Sequence, residues 1–382
     1  MSTLDEQGQV NNSEVEIKKD EFELIRFLTS NRKATVQGVA TDDDFVRIGI
    51  GDDAAIVRGT QAGHELVLTI DSMVEGVHFV PETMTASDVG YKALSSAVSD
   101  IAAMGGTPET VLVAVSIPRS GVWGEVELKF LYDGLEQSAL DHDVQIVGGD
   151  TTSTSGPLTI TVSVTGRVPA GQSLTRGGAK QGDILFITGD IGMSAAGLDW
   201  MLREQPLDLP EKSIQEMQVL IDAHQRPRAQ IAAGQILLKS GVCSALNDIS
   251  DGLVSECYEI ADASNCHVIL YEDLIPVHPA MVRYGYLTEQ SPLTWCLYGG
   301  EDYQLVGCVP AHEMPRIQSE LYEYGIYAQM IGTIETPTEG QLPRVELMFN
   351  NEQRALLKKL GYNHFTKNDW LPDVQRNGGK GR

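Results

Sequence analysis

The sequence predicts a mixed α/β fold in two halves, on three observations. Apolar strand-like runs alternate with segments of helical periodicity between residues 65 and 309. A turn-rich stretch, Arg167-Val168-Pro169-Ala170-Gly171, divides them into two sets. The length, 382 residues, suits two domains at roughly 100–200 residues each.

The elements follow in chain order. Residues 1–20 are polar and acidic and predict a disordered extension, with no apolar stretch that would make a secretion signal. Glu65–Asp71 is a β-rich run ending in an acid. Ser87 to Met104 reads as a helix capped by Ser87, with Leu94, Ala97, Val98, Ile101 and Met104 on one face; Gly105, Gly106 and Pro108 stop it. Val111–Ile117 is a buried strand, and Glu125–Asp141 a helix with Leu128, Leu131, Leu135 and Ala139 inward. Gln145–Val147 is a short strand running into Gly148-Gly149-Asp150. Leu158, Ile160, Val162 and Val164 alternate with Thr and Ser, the period-two pattern of a half-buried strand. The first domain is thus 21–168.

The second domain, 172–366, opens with the strand Asp183–Thr188 and a helix near Met193–Leu202. A Pro-marked loop at Gln205–Pro210 follows, then helices on either side of Arg226-Pro227. Ala245–Ile249 leads into a helix from Leu253, and Asp302–Val309 is a late strand. Residues 367–382 predict a flexible tail.

Composition narrows the function. With 28 Lys+Arg against 53 Asp+Glu the net charge is −25, which repels phosphate backbones and argues against a nucleic-acid or anionic-membrane binder. No apolar run approaches the ~20 residues needed to span a bilayer. Five cysteines, all from Cys243 onward and without a CxxC pair, read as reduced thiols of a cytoplasmic protein.

The usual nucleotide signatures are missing. There is no GxxxxGK[ST] loop and no kinase catalytic-loop or DFG pattern. Gly49-Ile50-Gly51-Asp52-Asp53-Ala54 fits G-x-G-x-x-A, but two aspartates sit where a pyrophosphate would approach and no amphipathic helix opens there. What recurs is aspartate at element junctions: Asp52-Asp53, Asp71, Asp100, Asp150 and Asp248-Ile249-Ser250-Asp251-Gly252. Flanking glycines let the backbone approach a ligand. If several converge, each like-charge pair at 4 Å opposes folding by ~4 kcal/mol at an effective dielectric of 20. Such a cluster needs cations or raised pKa values, and Mg²⁺ takes oxygen ligands that it shares with substrate phosphates. Each motif has a plainer reading. Asp251 could simply cap the helix from Leu253, Gly148–Thr152 could be a turn, and His78 could be packing. Asp100 is harder to dismiss, because it borders the apolar face one turn after Ser96.

Gly51-Asp52-Asp53-Ala54-Ala55, the Asp71–Phe79 run with Glu75-Gly76-Val77-His78-Phe79, Ser99–Gly105, Gly148–Thr152, Leu174-Thr175-Arg176, Asp248–Leu253 and Gly299-Gly300-Glu301-Asp302-Tyr303 occur in this order. Together they resemble the thiamine-monophosphate kinase family, in the superfamily of aminoimidazole ribonucleotide synthetase, from about Asp20 to Phe365. The resemblance implies a two-domain α/β fold whose N-terminal sheet pairs across a homodimer. It implies transfer of the ATP γ-phosphoryl group to thiamine monophosphate in the last step of thiamine diphosphate formation. Asp53, Thr69, Asp71, Asp100, Asp150, Asp248 and Asp251 would hold several Mg²⁺ ions. Gly149, Asp150, Arg176 and Ser250 would contact the nucleotide, and His78, Glu301 and Tyr362 the acceptor. Asp150, Asp251 and Arg176 are the residues it makes catalytic.

One departure stands out. The family often has Thr before Asp71, and this chain has Ile70, whose side chain cannot ligate Mg²⁺ and which could contribute only a main-chain carbonyl. Rival readings are another ATP-using member of the superfamily, or a non-catalytic dimer that binds nucleotide or divalent cations. Selenophosphate synthetase is disfavoured because no Cys precedes Cys243. The hydrogenase-maturation dehydratase, which ends in a Cys-bearing tail, is disfavoured because this chain ends in Asn-Gly-Gly-Lys-Gly-Arg.

Overall fold

The computed structural model describes residues 46–48, 52–59, 61–203, 211–338, 340–360 and 362. The predicted extension and tail, the loop at 205–210, Gly49–Gly51 and residues 363–365 lie outside the described residues.

The first domain runs β1 (Val46–Ile48), β2 (Ala55–Arg58), β3 (His64–Val74), α1 (Ala86–Ala103), β4 (Thr107–Pro118), α2 (Glu125–Asp141), β5 (Gln145–Thr154), β6 (Thr159–Pro169). Its strands form one sheet in the order β1-β2-β3-β6-β4-β5, with β4 and β5 parallel. The predicted alternation holds in β6, whereas β4, expected to be a buried strand, alternates too, with Leu112 and Ala114 exposed on the open face of the sheet. Ile160, Val162 and Val164 of β6 and Val111, Val113 and Val115 of β4 are buried against Leu94, Val98 and Ile101 of α1 and Leu131 and Leu135 of α2.

The second domain runs β7 (Asp183–Thr188), α3 (Met193–Leu202), α4 (Glu211–Gln225), α5 (Ile231–Ser240), β8 (Ala245–Asp248), α6 (Leu253–Ser264), β9 (His267–Tyr271), α7 (Pro279–Thr288), α8 (Pro292–Tyr298), β10 (Leu305–Pro310), α9 (Met314–Tyr322), β11 (Ala328–Glu335), β12 (Arg344–Met348), β13 (Arg354–Leu356). Its sheet has the order β13-β12-β9-β11-β7-β10-β8. Strand β7 is buried along its whole length, as a central strand covered on both faces should be, and β8, at the sheet edge beside β10, is buried as well.

Several expectations are corrected in detail. The cap of α1 is Thr85, not Ser87: Thr85 accepts from the Asp88 N–H while the Asp88 carboxylate accepts from the Thr85 N–H at 3.2 Å. Strand β5 does not stop at Val147 but continues through Gly148-Gly149-Asp150 to Thr154, held by parallel pairing with β4. Asp302 and Tyr303 precede β10, which begins at Leu305.

α1 is the hinge of the architecture because both of its faces are buried. Lys92, Ser96, Ser99 and Asp100 lie opposite Leu94, Val98 and Ile101 on the helical wheel, and this polar face meets the second domain. The α4–α5 loop fastens the two domains together. Arg226 Nε donates to Asp88 at 2.7 Å, its Nη2 donates to Ser87 Oγ at 3.0 Å, and its guanidinium lies 5.3 Å from the Tyr91 ring centre. Beside it the Ala229 N–H donates to His142 Nε2 at 3.2 Å. Among the described residues no helix is long and apolar enough to cross a membrane.

Candidate active site

Acidic side chains from both domains meet between α1, β3 and the β8–α6 loop. Carboxylate oxygens of Asp53, Asp100 and Asp248 all lie within 4.8 Å of one another. Asp53 lies two residues before β2, Asp100 sits on the buried polar face of α1, and Asp248 ends β8. Helix α1 also orients its partner across the domain junction, because Ser99 Oγ donates to Asp248 Oδ2 at 2.5 Å. Thr69 on β3 donates its hydroxyl to Asp100.

Burial sets the electrostatics. Burial, with Asp53 beside it, pushes the Asp248 carboxyl up to about 7, and the same two causes bring Asp52 to about 7. Burial and then Asp248 push Asp100 well above the usual carboxylate range. Burial raises Asp53 too, against the pull of Arg176. The Arg176 Nε donates to Asp53 Oδ1 at 3.0 Å and to Asn247 Oδ1 at 3.2 Å, and its Nη1 lies 3.6 Å from Glu259. Asp53 Oδ2 is buried with no hydrogen-bond partner. An all-oxygen set with an unsatisfied buried carboxylate oxygen fits a hard divalent cation such as Mg²⁺.

A cavity of about 450 Å³ opens beside this cluster. Asp71, Asp100, Asp248, Ser250 and Asp251 form its acidic side. His78, Glu301 and Tyr362 stand on its wall, with the His78 and Tyr362 ring centres 6.4 Å apart. Leu198, Trp295 and Tyr303 add an apolar part that sequence reasoning missed, because these residues look like ordinary core positions in their own elements.

Two interlocked loops shape the floor. The Glu301 N–H donates to Ser250 O at 2.7 Å and the Tyr303 N–H to Ile249 O at 2.9 Å. They can approach this closely because Gly300 has no side chain: a Cβ there would come within 2.3 Å of Ser250 O. Asp251 is not the cap of α6. That position is Gly252, at φ +106°, and the Asp251 N–H instead donates to Glu256 Oε1 at 3.0 Å. Glu256, which also accepts from Asn247 at 2.7 Å, is a buried organiser of the loop that no motif announced.

Not every expected residue reaches the cavity. Arg176 does not line the cavity and meets the acidic residues through its side chain on Asp53 and its N–H on Asp52 Oδ2, at 3.4 Å. Gly149 and Asp150 do not line the cavity of their own chain. Register carries Asp71 to Val162, Val162 to Val113 and Val113 to Gly149, three strand spacings or roughly 14 Å. Asp150, one residue on, falls on the opposite face of the sheet from Asp71, and it is exposed. Ile70 is on that open face as well, 67% exposed, yet it borders the cavity.

This fold and site define a class. The chain matches the model of AIR synthase related protein, N-terminal domain, over residues 51–168, and that of the C-terminal domain over 180–343. It is 36% identical over 351 residues to the thiamine-monophosphate kinase of Bacillus subtilis (strain 168), covering 91% of this chain and 99% of that protein. Among solved structures, AaThiL complexed with AMPPCP and TMP matches with a TM-score of 0.73 at 28% identity, covering 91% of this chain and 97% of that one. Thiamine-monophosphate kinase from Stenotrophomonas maltophilia K279a matches with a TM-score of 0.66 at 30% identity, covering 86% and 96%. The chain belongs to the thiamine-monophosphate kinase family.

Proposed function

We propose that the protein transfers the γ-phosphoryl group of ATP to the phosphate of thiamine monophosphate, giving thiamine diphosphate. One observation carries this reading: carboxylates from both domains converge beside a cavity whose wall also presents His78, Glu301 and Tyr362. Names of relatives along nearly the whole chain, and the AMPPCP and TMP complex of the structural neighbour, support the same pair of substrates.

The acceptor oxygen is already ionised at neutral pH, so no strong general base is required. The obstacle is bringing two polyanions together in a protein of net charge −25. Asp53, Asp71, Asp100, Asp248 and Asp251 would hold Mg²⁺, with Thr69 braced on Asp100. Mg²⁺ held by these carboxylates would supply charge neutralisation of the phosphates, which suits direct in-line transfer without a phosphoenzyme. Ser250 lines the nucleotide side, and Arg176 would exchange part of its pairing with Asp53 for a phosphate contact.

Asp150 and Gly149 take their role in a homodimer. The open face of the first sheet exposes Ile70 and Leu112, and Val147 stands exposed on its edge strand. A second copy seated on that face would bring its own Gly149-Asp150 to the cavity mouth bordered by Ile70. Ile70 then contributes packing and a main-chain carbonyl, not a side-chain ligand. Five free cysteines suit a reducing, cytoplasmic setting. Incubation with ATP, Mg²⁺ and thiamine monophosphate should yield thiamine diphosphate, and free thiamine should yield no product. The opposite pattern refutes the reading.

A further inference from the structure

Lys92 is fully buried in α1, and its Nζ lies 2.8 Å from Glu301 Oε2 on the cavity wall. A buried ammonium is expensive unless it is paired, so this pair, which bridges the two domains, calls for a use. On the same oxygen, at 3.6 Å, stands His224 Nδ1, itself 3.0 Å from Ser194 Oγ. Burial and the neighbouring Lys92 push His224 down to about 3, so the imidazole is neutral and Lys92 supplies the positive charge. Burial would raise the Glu301 carboxyl, but Lys92 outweighs it and holds it below the usual range.

Geometry fixes this anion as firmly as charge does. The Glu301 backbone sits at φ +65° and is pinned to Ser250 O. Both of these side-chain contacts fall on Oε2, and the residue lines the cavity, where its carboxylate can meet a ligand. Lys92 and Asp100 lie on one face of α1, eight residues and about 12 Å apart along the helix.

We propose that Lys92 is a positioning residue for the acceptor, holding the Glu301 carboxylate as the fixed anion that receives a cationic heteroaromatic ring. Helix α1 then acts as a spacer, with the ring at the Lys92 end and the phosphates at the Asp100 end. This rests on thiamine monophosphate being the acceptor, since its thiazolium carries the positive charge.

The wild-type protein is first assayed for thiamine diphosphate, and an absence of product overturns both this assignment and the proposed function. With an active wild type, Lys92→Met should raise KM for thiamine monophosphate at least about ten-fold while kcat and KM for ATP stay within about two-fold. A merely structural lysine would move all three. The double variant Lys92→Met with Glu301→Gln leaves no buried charge unpaired, and its acceptor KM should equal that of Glu301→Gln alone. If Lys92→Met does not fold, this second comparison decides. Equal losses for both substrates, or a double variant more than about three-fold worse than Glu301→Gln, overturns the assignment while leaving the function intact.

Discussion

Asp248 concentrates the physics of the site in one side chain. Burial and Asp53 bring its carboxyl to about 7, whereas in the unfolded chain it titrates near its ordinary value of 3.8. Between those pH values the folded protein binds the extra proton, so the stability of the metal-free protein falls as pH rises from about 4 to about 7. Asp52, also at about 7, adds to the same slope. A divalent cation replaces the proton. The thermal midpoint should therefore rise more on adding Mg²⁺ at about pH 8 than at about pH 6. Asp248→Asn keeps an acceptor for Ser99 but removes the charge. It should raise the midpoint of the metal-free protein at about pH 8, blunt the response to Mg²⁺ and lower kcat by about 100-fold or more. A variant as active and as Mg²⁺-responsive as wild type would remove Asp248 from the metal site. The place of this aspartate in the acidic cluster was legible because junction aspartates flanked by Gly, Ser or Thr announce themselves locally. Lys92 and Glu256 were not legible, since one sits mid-helix and the other reads as an ordinary first-turn acid, and each gains its meaning only from a partner in another element.

Helix α1 shows what periodicity can and cannot say. Its apolar face was readable from Leu94, Val98 and Ile101, and its end from Gly105. Its polar face reads as solvated by the same rule, yet Lys92, Ser96 and Ser99 are buried against the second domain. Only Asp100, at the border between the faces, hinted at this. The start was misassigned by two residues because Thr85 and Ser87 are both competent caps and the reciprocal Asp88 contact decides between them. Strand β5 fails for a related reason: glycines look like a turn in isolation, but a parallel neighbour can hold them extended. The capping box gives a test confined to the element. Thr85→Ala should destabilise the protein by about 1 kcal/mol in urea unfolding, with KM for both substrates unchanged. A shift in KM instead would mean that the helix start, 15 residues from Asp100, tunes the site directly.

Across the whole molecule, two domains close on one cavity while two predicted catalytic residues, Arg176 and Asp150, stay outside its lining, Asp150 by far the further. The domain junction is firmly made: Arg226 binds Asp88, and His142, which burial holds in the neutral form, accepts from the Ala229 N–H. Movement within one chain is thus a poor way to bring Asp150 across the sheet to Asp71, roughly 14 Å and one face away. A symmetric partner, as proposed above, would do it without deformation, since an isologous interface exchanges the same residue in both directions. This arrangement makes an unusual prediction for mixtures. Asp150→Asn and Asp248→Asn should each be nearly inactive alone. In a mixed dimer, one site combines the intact Asp248 of the first chain with the intact Asp150 of the second, and the other site carries both lesions. Random exchange makes half of the dimers mixed, and half of their sites are whole, so equal amounts should recover about a quarter of wild-type activity. Recovery should require subunit exchange, for instance after mild denaturation and refolding together. If the mixture stays as inactive as its components while native mass spectrometry finds mixed dimers, each chain builds its site alone and Asp150 acts, if at all, in its own subunit.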